Sequence, residues 1–140
     1  MPAHSASERR SPRRLRIIGA ASGVGAQDRH CEHGPTAFHR SQAWHELAHH
    51  PDIDWGEILY APDRPGMSPV ARIANLCSRL AGEVTDALAA HEFPLVIGGD
   101  HSVAIGTWSG VARSIGAPIG LLWLDAHLDS HTPETSHSGA

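Results

Sequence analysis

Short apolar runs alternate along this chain with longer stretches in which apolar residues recur every three or four positions. The runs at residues 15–20, 55–60, 93–97 and 119–124 predict strands, of which the second has the weakest pattern. Helical spacing covers residues 35–49, 68–88 and 102–115. The order βαβαβαβ indicates an α/β fold: a parallel sheet with right-handed crossovers and helices on both faces.

Two features of the helices carry specific expectations. Ser68 followed by Pro69 is a strong start signal, because a serine hydroxyl caps a helix and proline is tolerated at its first position. Gly106 and Gly110 interrupt the last helical pattern, and we expect them to allow close packing of that helix on the sheet.

Length and charge limit the domain organisation and the partners. With 140 residues, 41% of them apolar, one hydrophobic core is expected. Residues 1–14 are basic and rich in serine and proline, which predicts a disordered tail before an α/β domain at residues 15–140. A net charge of −4 favours neither nucleic acid nor an anionic membrane as a partner.

Targeting signals and paired cysteines are not evident in the sequence. No apolar run reaches the ~18 residues of a membrane span, and no signal-peptide core follows the basic segment, so we expect a cytoplasmic protein without a membrane partner. The two cysteines, Cys31 and Cys77, lack CxxC spacing and are interpreted as free thiols.

Two motifs follow the third and fourth predicted strands directly: GGDHS at residues 98–102 and DAHLD at residues 125–129. In open parallel sheets, ligands bind beyond the carboxyl ends of the strands. We therefore expect His101, Asp125, His127 and Asp129 at one edge of the sheet, where they form a candidate metal site. Imidazole and carboxylate without thiolate suit Mn²⁺ best, although Zn²⁺, Fe²⁺ and Co²⁺ remain alternatives.

The spacing within DAHLD limits how it can bind metal. Asp125 and Asp129 would be ~13 Å apart in an extended strand, which is too far for one ion. Either the segment curls after the strand, or its ligands are shared between two ions ~3.5–4 Å apart. Without metal, Asp125 would cap a turn and His101 would be an ordinary histidine at a strand end.

The longer strings GGDHSVAIGTWSG and GLLWLDAHLDSHTPETSHSGA resemble the ureohydrolase superfamily, and within it the arginase branch. The IIGA strand and the HGPTAF segment are similar to the opening of that family. The resemblance implies the N-terminal half of an arginase-like three-layer α/β sandwich. It also implies two manganese ions and the hydrolysis of a guanidino compound, in the first place arginine to ornithine and urea.

The resemblance also implies a role for each site residue. His101 would bind one ion and His127 the other, Asp125 would bridge them, and Asp129 would join His101 on the first ion. Asp129 would also be catalytic, because it would hold the attacking hydroxide by a hydrogen bond.

Substrate contacts are implied for the segment after DAHLD, at His131, Ser136 and Ser138. His131 and Ala140 stand where arginases have asparagines that contact the amino-acid end of the substrate. Agmatine, guanidinobutyrate and formimidoylglutamate are therefore alternative substrates.

Family members are about twice as long as this chain. We expect a fragment of a longer enzyme or a chain that is stable only with a partner, in which the metal site is half formed and residues 119–124 form an aggregation-prone apolar edge. A complete chain would form a homo-oligomer, a trimer or a hexamer. The alternatives are a non-catalytic fragment with residual metal binding and an unrelated metal hydrolase that uses the HLDSH string.

Overall fold

A computed structural model of the chain describes residues 14–126 and residue 135. Its strands form one parallel sheet in the order β2-β1-β3, with bounds β1 (Leu15–Ala21), β2 (Ile53–Tyr60) and β3 (Phe93–Gly98). A short 3₁₀ turn precedes the helices, and the bounds are Arg29–His33 for this turn, then α1 (Gly34–His39), α2 (Gln42–Leu47), α3 (Pro69–Ala89) and α4 (Val103–Ile115).

The central strand β1 separates two packed layers, because successive side chains of a strand point to opposite faces. On one face, the buried residues Ile18 and Ala20 belong to a core cluster with Leu76, Leu80 and Val84 of α3. The opposite face carries α1 and α2. The structure therefore confirms the predicted α/β class, a parallel sheet with helices on both faces.

The second layer packs against β1 and β2 through small and aromatic residues. A Cβ on Gly19 would lie 3.2 Å from Cβ of Pro35, so the start of α1 approaches β1 closely. Trp55 of β2 lies against Phe38 and Trp44, with ring centroids 6.1 and 5.1 Å apart. These contacts fix α1 and α2 against the sheet.

The start of α3 agrees with the sequence prediction. The side chain of Ser68 accepts a hydrogen bond from the backbone N–H of Ala71 at 3.2 Å, and Pro69 occupies the first helical position. The cap satisfies one of the backbone donors that every helix leaves free at its N-terminus.

The helix predicted over residues 35–49 is two short helices instead. Its first part ends with Arg40 as the cap of α1, and Ser41 then adopts an extended conformation. The Ser41 hydroxyl donates to the carbonyl of Phe38 at 2.6 Å and accepts from the N–H of Trp44 at 3.2 Å. One side chain thus closes α1 and caps α2, which breaks the continuous helix.

The strand predicted at residues 119–124 is also wrong for the described part of the chain, where these residues have no strand pairing. The outer edge of β3 has no described strand beside it, and residues 119–124 do not take that place. The apolar side chains of this segment are exposed, with Leu122 at 80% and Leu124 at 85%.

The glycines of α4 face α3 and not the sheet, contrary to the expectation from the sequence. A Cβ on Gly106 would lie 2.7 Å from the carbonyl oxygen of Cys77, and one on Gly110 would lie 2.7 Å from that of Ala81. The two helices therefore approach each other at positions where a larger side chain does not fit. Among the described helices, none has the length and apolar character of a membrane span.

Candidate functional site

The loop that carries His101 leaves the sheet directly after β3. Hydrogen bonds continue the pairing of β3 with β1 beyond the strand, from the N–H of Gly99 to Ala20 O at 3.1 Å and from the N–H of Asp100 to Ser22 O at 2.7 Å. A Cβ on Gly99 would lie 2.1 Å from Ser22 O, so this approach requires glycine. His101 therefore emerges at the carboxyl end of the sheet, the edge predicted for the site.

Asp125 comes to the same place although its segment forms no strand in the described part of the chain. Its Oδ2 lies 2.9 Å from Nδ1 of His101. The Asp125 side chain is 9% exposed and the imidazole 56%, so the carboxylate is covered while one side of the ring stays open to solvent. The structure thus brings together two of the four predicted ligands.

An indole ring stacks on one face of the His101 imidazole. Trp123 stacks on His101 with ring centroids 4.6 Å apart and an interplanar angle of 15°. Both rings line an open cavity of about 370 Å³ together with Ile105, Trp108 and Leu121. His101 therefore lines a largely apolar cavity.

The remaining predicted site residues lie outside the described residues: the ligands His127 and Asp129, and the substrate contacts His131, Ser136 and Ser138. Within residues 14–126 and residue 135, no three His, Cys, Asp or Glu side chains are grouped so that they could hold a metal ion. The described part of the site is the pair His101 and Asp125.

The chemistry of this pair fits two neighbouring positions around a divalent cation. Ligands 2.0–2.1 Å from an octahedral ion lie about 3 Å apart along an edge, and the Nδ1–Oδ2 distance is 2.9 Å. Imidazole and carboxylate are also donors that suit Mn²⁺. For binding, Nδ1 must be unprotonated, so the proton of the neutral ring would be on Nε2.

Asp100 is a residue of the site that the sequence interpretation missed. Its buried carboxylate accepts hydrogen bonds from Ser22 Oγ at 2.6 Å, Gly25 N at 3.0 Å and Ser102 N at 2.9 Å, and also from Ser102 Oγ. Burial alone would raise the pKa of the Asp100 carboxyl, but the bonds from Ser102, Ser22 and Gly25 outweigh it and hold the pKa below its usual value.

A local sequence signal for Asp100 does exist. An aspartate just before a helix caps its first free N–H groups, and Asp100 lies three residues before the first residue of α4. Its contacts with Ser22 and Gly25 span 78 and 75 residues, and no local pattern predicts them.

The family model described as "Arginase family" matches residues 13–140. Human arginase-1 is 37% identical over 135 residues, which cover 91% of this chain and 41% of the human protein. The arginase of Bacillus caldovelox is 36% identical over 134 residues, which cover 89% of this chain and 44% of that protein. The chain thus spans less than half the length of these relatives.

Solved structures give the same result. A crystal structure of arginase from Bacillus subtilis superposes on this chain with a TM-score of 0.74 at 30% identity. The superposition covers 91% of this chain and 44% of the Bacillus subtilis chain. The native structure of Bacillus caldovelox arginase at pH 5.6 gives a TM-score of 0.71 at 33% identity, with 91% and 46% covered.

Proposed function

Because the chain belongs to the arginase family, we propose that it carries part of a site that hydrolyses a guanidino compound with two manganese ions. Arginine is the preferred substrate, and water converts it to ornithine and urea. The observation that supports this proposal is the contact of His101 with Asp125 at 2.9 Å, at the carboxyl edge of the sheet.

In this proposal each residue of the two motifs has a distinct task. His101 and His127 would each hold one ion, Asp125 would contribute to both, and Asp129 would hold the same ion as His101. Bound manganese would lower the pKa of a water molecule and so supply a hydroxide nucleophile near neutral pH. Asp129 would accept a hydrogen bond from the attacking water and orient it.

The amino-acid end of the substrate would contact the segment that contains His131, Ser136 and Ser138. His131 and Ala140 differ from the asparagines typical of arginases, which favours agmatine, guanidinobutyrate or formimidoylglutamate as the second candidates. We further propose a cytoplasmic location and a homo-oligomer, with a small guanidino molecule as the partner of the site.

Metal binding can be tested on the chain itself. A titration followed by the electron paramagnetic resonance signal of free Mn²⁺ should show saturable binding, and Asp125→Ala should weaken it by about tenfold or more, because one ligand is lost. Asp86→Ala, a change at an exposed carboxylate on α3, is the matched control and should leave the titration unchanged. Identical curves for all three proteins would refute ligation by Asp125.

The reaction is tested by product release with Mn²⁺ present. Urea should appear from arginine faster than from agmatine or guanidinobutyrate, and Asp129→Asn should abolish the release of urea. Hydrolysis of formimidoylglutamate is measured by its product formamide. Faster turnover of another compound would reassign the substrate. Intact Mn²⁺ binding without product from any compound would favour the alternative, a non-catalytic fragment with metal affinity.

A further inference from the structure

The Asp100 carboxylate connects three parts of the fold at the edge where the site lies. Its Oδ2 accepts from the hydroxyl of Ser22 and the N–H of Gly25, both in the loop after β1. Its Oδ1 accepts from the N–H and the hydroxyl of Ser102, at the start of α4. Asp100 itself follows β3, so one side chain ties this strand end to the β1 loop and to the next helix.

The donors around Asp100 are all neutral hydroxyl and amide groups, and they use both oxygens of the carboxylate. The side chain also lies at the N-terminus of α4, where the helix dipole stabilises a negative charge. Since Asp100 is only 6% exposed, these groups replace the water that would otherwise solvate it. An ionised carboxylate is the form that satisfies every donor.

The backbone of His101 is held on both sides. The Asp100 side chain fixes the chain before it, and after it the N–H of Ala104 donates to the carbonyl of His101 at 3.1 Å. The His101 side chain is 56% exposed, so packing restrains only part of the ring. The direction of its Cα–Cβ bond depends on the backbone that Asp100 holds.

We propose that Asp100 is a positioning residue: its buried hydrogen bonds set the backbone of His101 so that Nδ1 faces Asp125 at the metal site. This rests on the proposed function for its metal-dependent part, while the orientation of the ring can be measured without metal. The same bonds also hold the loop after β1 beside the site, because Gly25 lies against the carboxylate, where a Cβ would be 3.1 Å from Oδ1.

Asp100→Asn is the informative substitution because it keeps the size of the side chain. The amide has only one acceptor oxygen, so two of the four donors lose their acceptor. These two donors then face an NH₂ group. A milder pair tests one bond: Ser102→Ala removes the hydroxyl donor, and Ser102→Thr keeps it. Asp86→Asn, on the exposed side of α3, is the matched control.

Two readouts separate positioning from mere stabilisation. Long-range ¹H–¹⁵N spectra of the metal-free protein report the tautomer and environment of the His101 ring, which is assigned with His101→Gln. Mn²⁺ affinity is measured by the signal of the free ion. We expect altered His101 ring signals in Asp100→Asn and Ser102→Ala, and an Mn²⁺ dissociation constant about 10- to 100-fold higher in Asp100→Asn.

Ser102→Thr and Asp86→Asn should behave like the wild type in both readouts. A folded Asp100→Asn protein with unchanged ring signals and unchanged affinity would overturn the proposal, even if its melting temperature fell. If Asp100→Asn does not fold, unchanged ring signals in Ser102→Ala have the same meaning. A wild type that binds no Mn²⁺ would contradict the proposed function, and the ring signals alone would then decide the role of Asp100.

Discussion

Two helices end at residues with left-handed backbone, and only one of these residues is glycine. His91, after α3, has φ 60°, and Gly116, after α4, has φ 62°. The N–H of Glu92 donates to Ala87 O and that of His91 to Leu88 O, which is the bonding pattern of a Schellman motif. The left-handed conformation is costly for a residue with a Cβ.

We expect His91→Gly to raise the free energy of unfolding by about 0.5–1 kcal/mol, because the relief of strain exceeds the entropy that glycine adds to the unfolded chain. Urea denaturation of the two proteins measures the difference. A lower stability of His91→Gly would mean that contacts of the imidazole outweigh the backbone term.

Gly116→Ala tests the cost of left-handed backbone by adding a Cβ, whereas His91→Gly removes one. A Cβ at Gly116 would meet nothing within 4 Å, so the cost of the substitution is conformational and not steric. It should lower the free energy of unfolding by about 1 kcal/mol in the same urea experiment. No loss of stability would show that the left-handed geometry at this helix end is not required.

The two thiols both have a raised pKa, and they differ in access. Burial raises the pKa of Cys77, which is 6% exposed, and burial together with the carboxylates of Asp100 and Asp28 raises the pKa of the half-buried Cys31. Less thiolate is therefore present at pH 8 than in an unfolded chain, and the reactivity of both thiols should increase as the pH is raised.

With iodoacetamide at pH 8, Cys31 should react first and Cys77 at least about tenfold more slowly, since its alkylation requires local opening. Mass spectrometry of peptides measures both rates, and in denaturant the two should become equal. Equal rates in the native protein would contradict the burial of Cys77.

At the residue scale, the sequence predicted that His101 and Asp125 lie at one edge of the sheet. The reason holds for His101, because it follows β3 directly. It does not hold for Asp125, because the run before it forms no strand in the described part of the chain. Asp100 and Trp123 were not assigned. Their partners are set by where the β1 loop and the segment after α4 lie in space, and local spacing carries no information about that. The other motif residues lie outside the described residues, so their roles stay predictions.

At the scale of elements, the α3–α4 contact depends on the glycines that face α3. We expect Gly110→Ala to lower the free energy of unfolding by about 1–3 kcal/mol, because its Cβ would press on Ala81 O and on Val84. Gly82→Ala is the matched control: its Cβ meets nothing within 4 Å, and it should stabilise α3 by about 0.5–1 kcal/mol. Thermal unfolding followed by circular dichroism compares them, and equal effects would exclude the steric explanation.

Elements with local determinants were predicted well. The Ser68 cap and the apolar spacing of α3 are contained within the helix, and the structure reproduces both. By contrast, Ser41 satisfies backbone groups of two helices at once, which the apolar pattern of residues 35–49 does not reveal. Residues 119–124 have the apolar pattern of a strand but pair with no described strand, so the pattern alone does not decide whether a segment joins the sheet.

At the scale of the whole molecule, several large apolar side chains are exposed in the described part of the chain. Leu122 and Leu124 are 80% and 85% exposed, and Phe93 and Leu95 of β3 are also exposed. Among the described strands β3 pairs only with β1, so no described strand covers its other edge. Surfaces of this kind favour association between chains.

We expect the chain to self-associate, with a weight-average sedimentation coefficient that rises with protein concentration. Leu124→Glu should reduce this rise, because it places a charge within the exposed apolar segment and changes the free energy of unfolding by no more than about 0.5 kcal/mol. Val70→Glu is the matched control, since Val70 is an apolar residue, 76% exposed, in the first turn of α3 and outside residues 119–124. If both variants reduce association equally, the cause is net charge; if only Leu124→Glu does, the segment at residues 119–124 forms the contact.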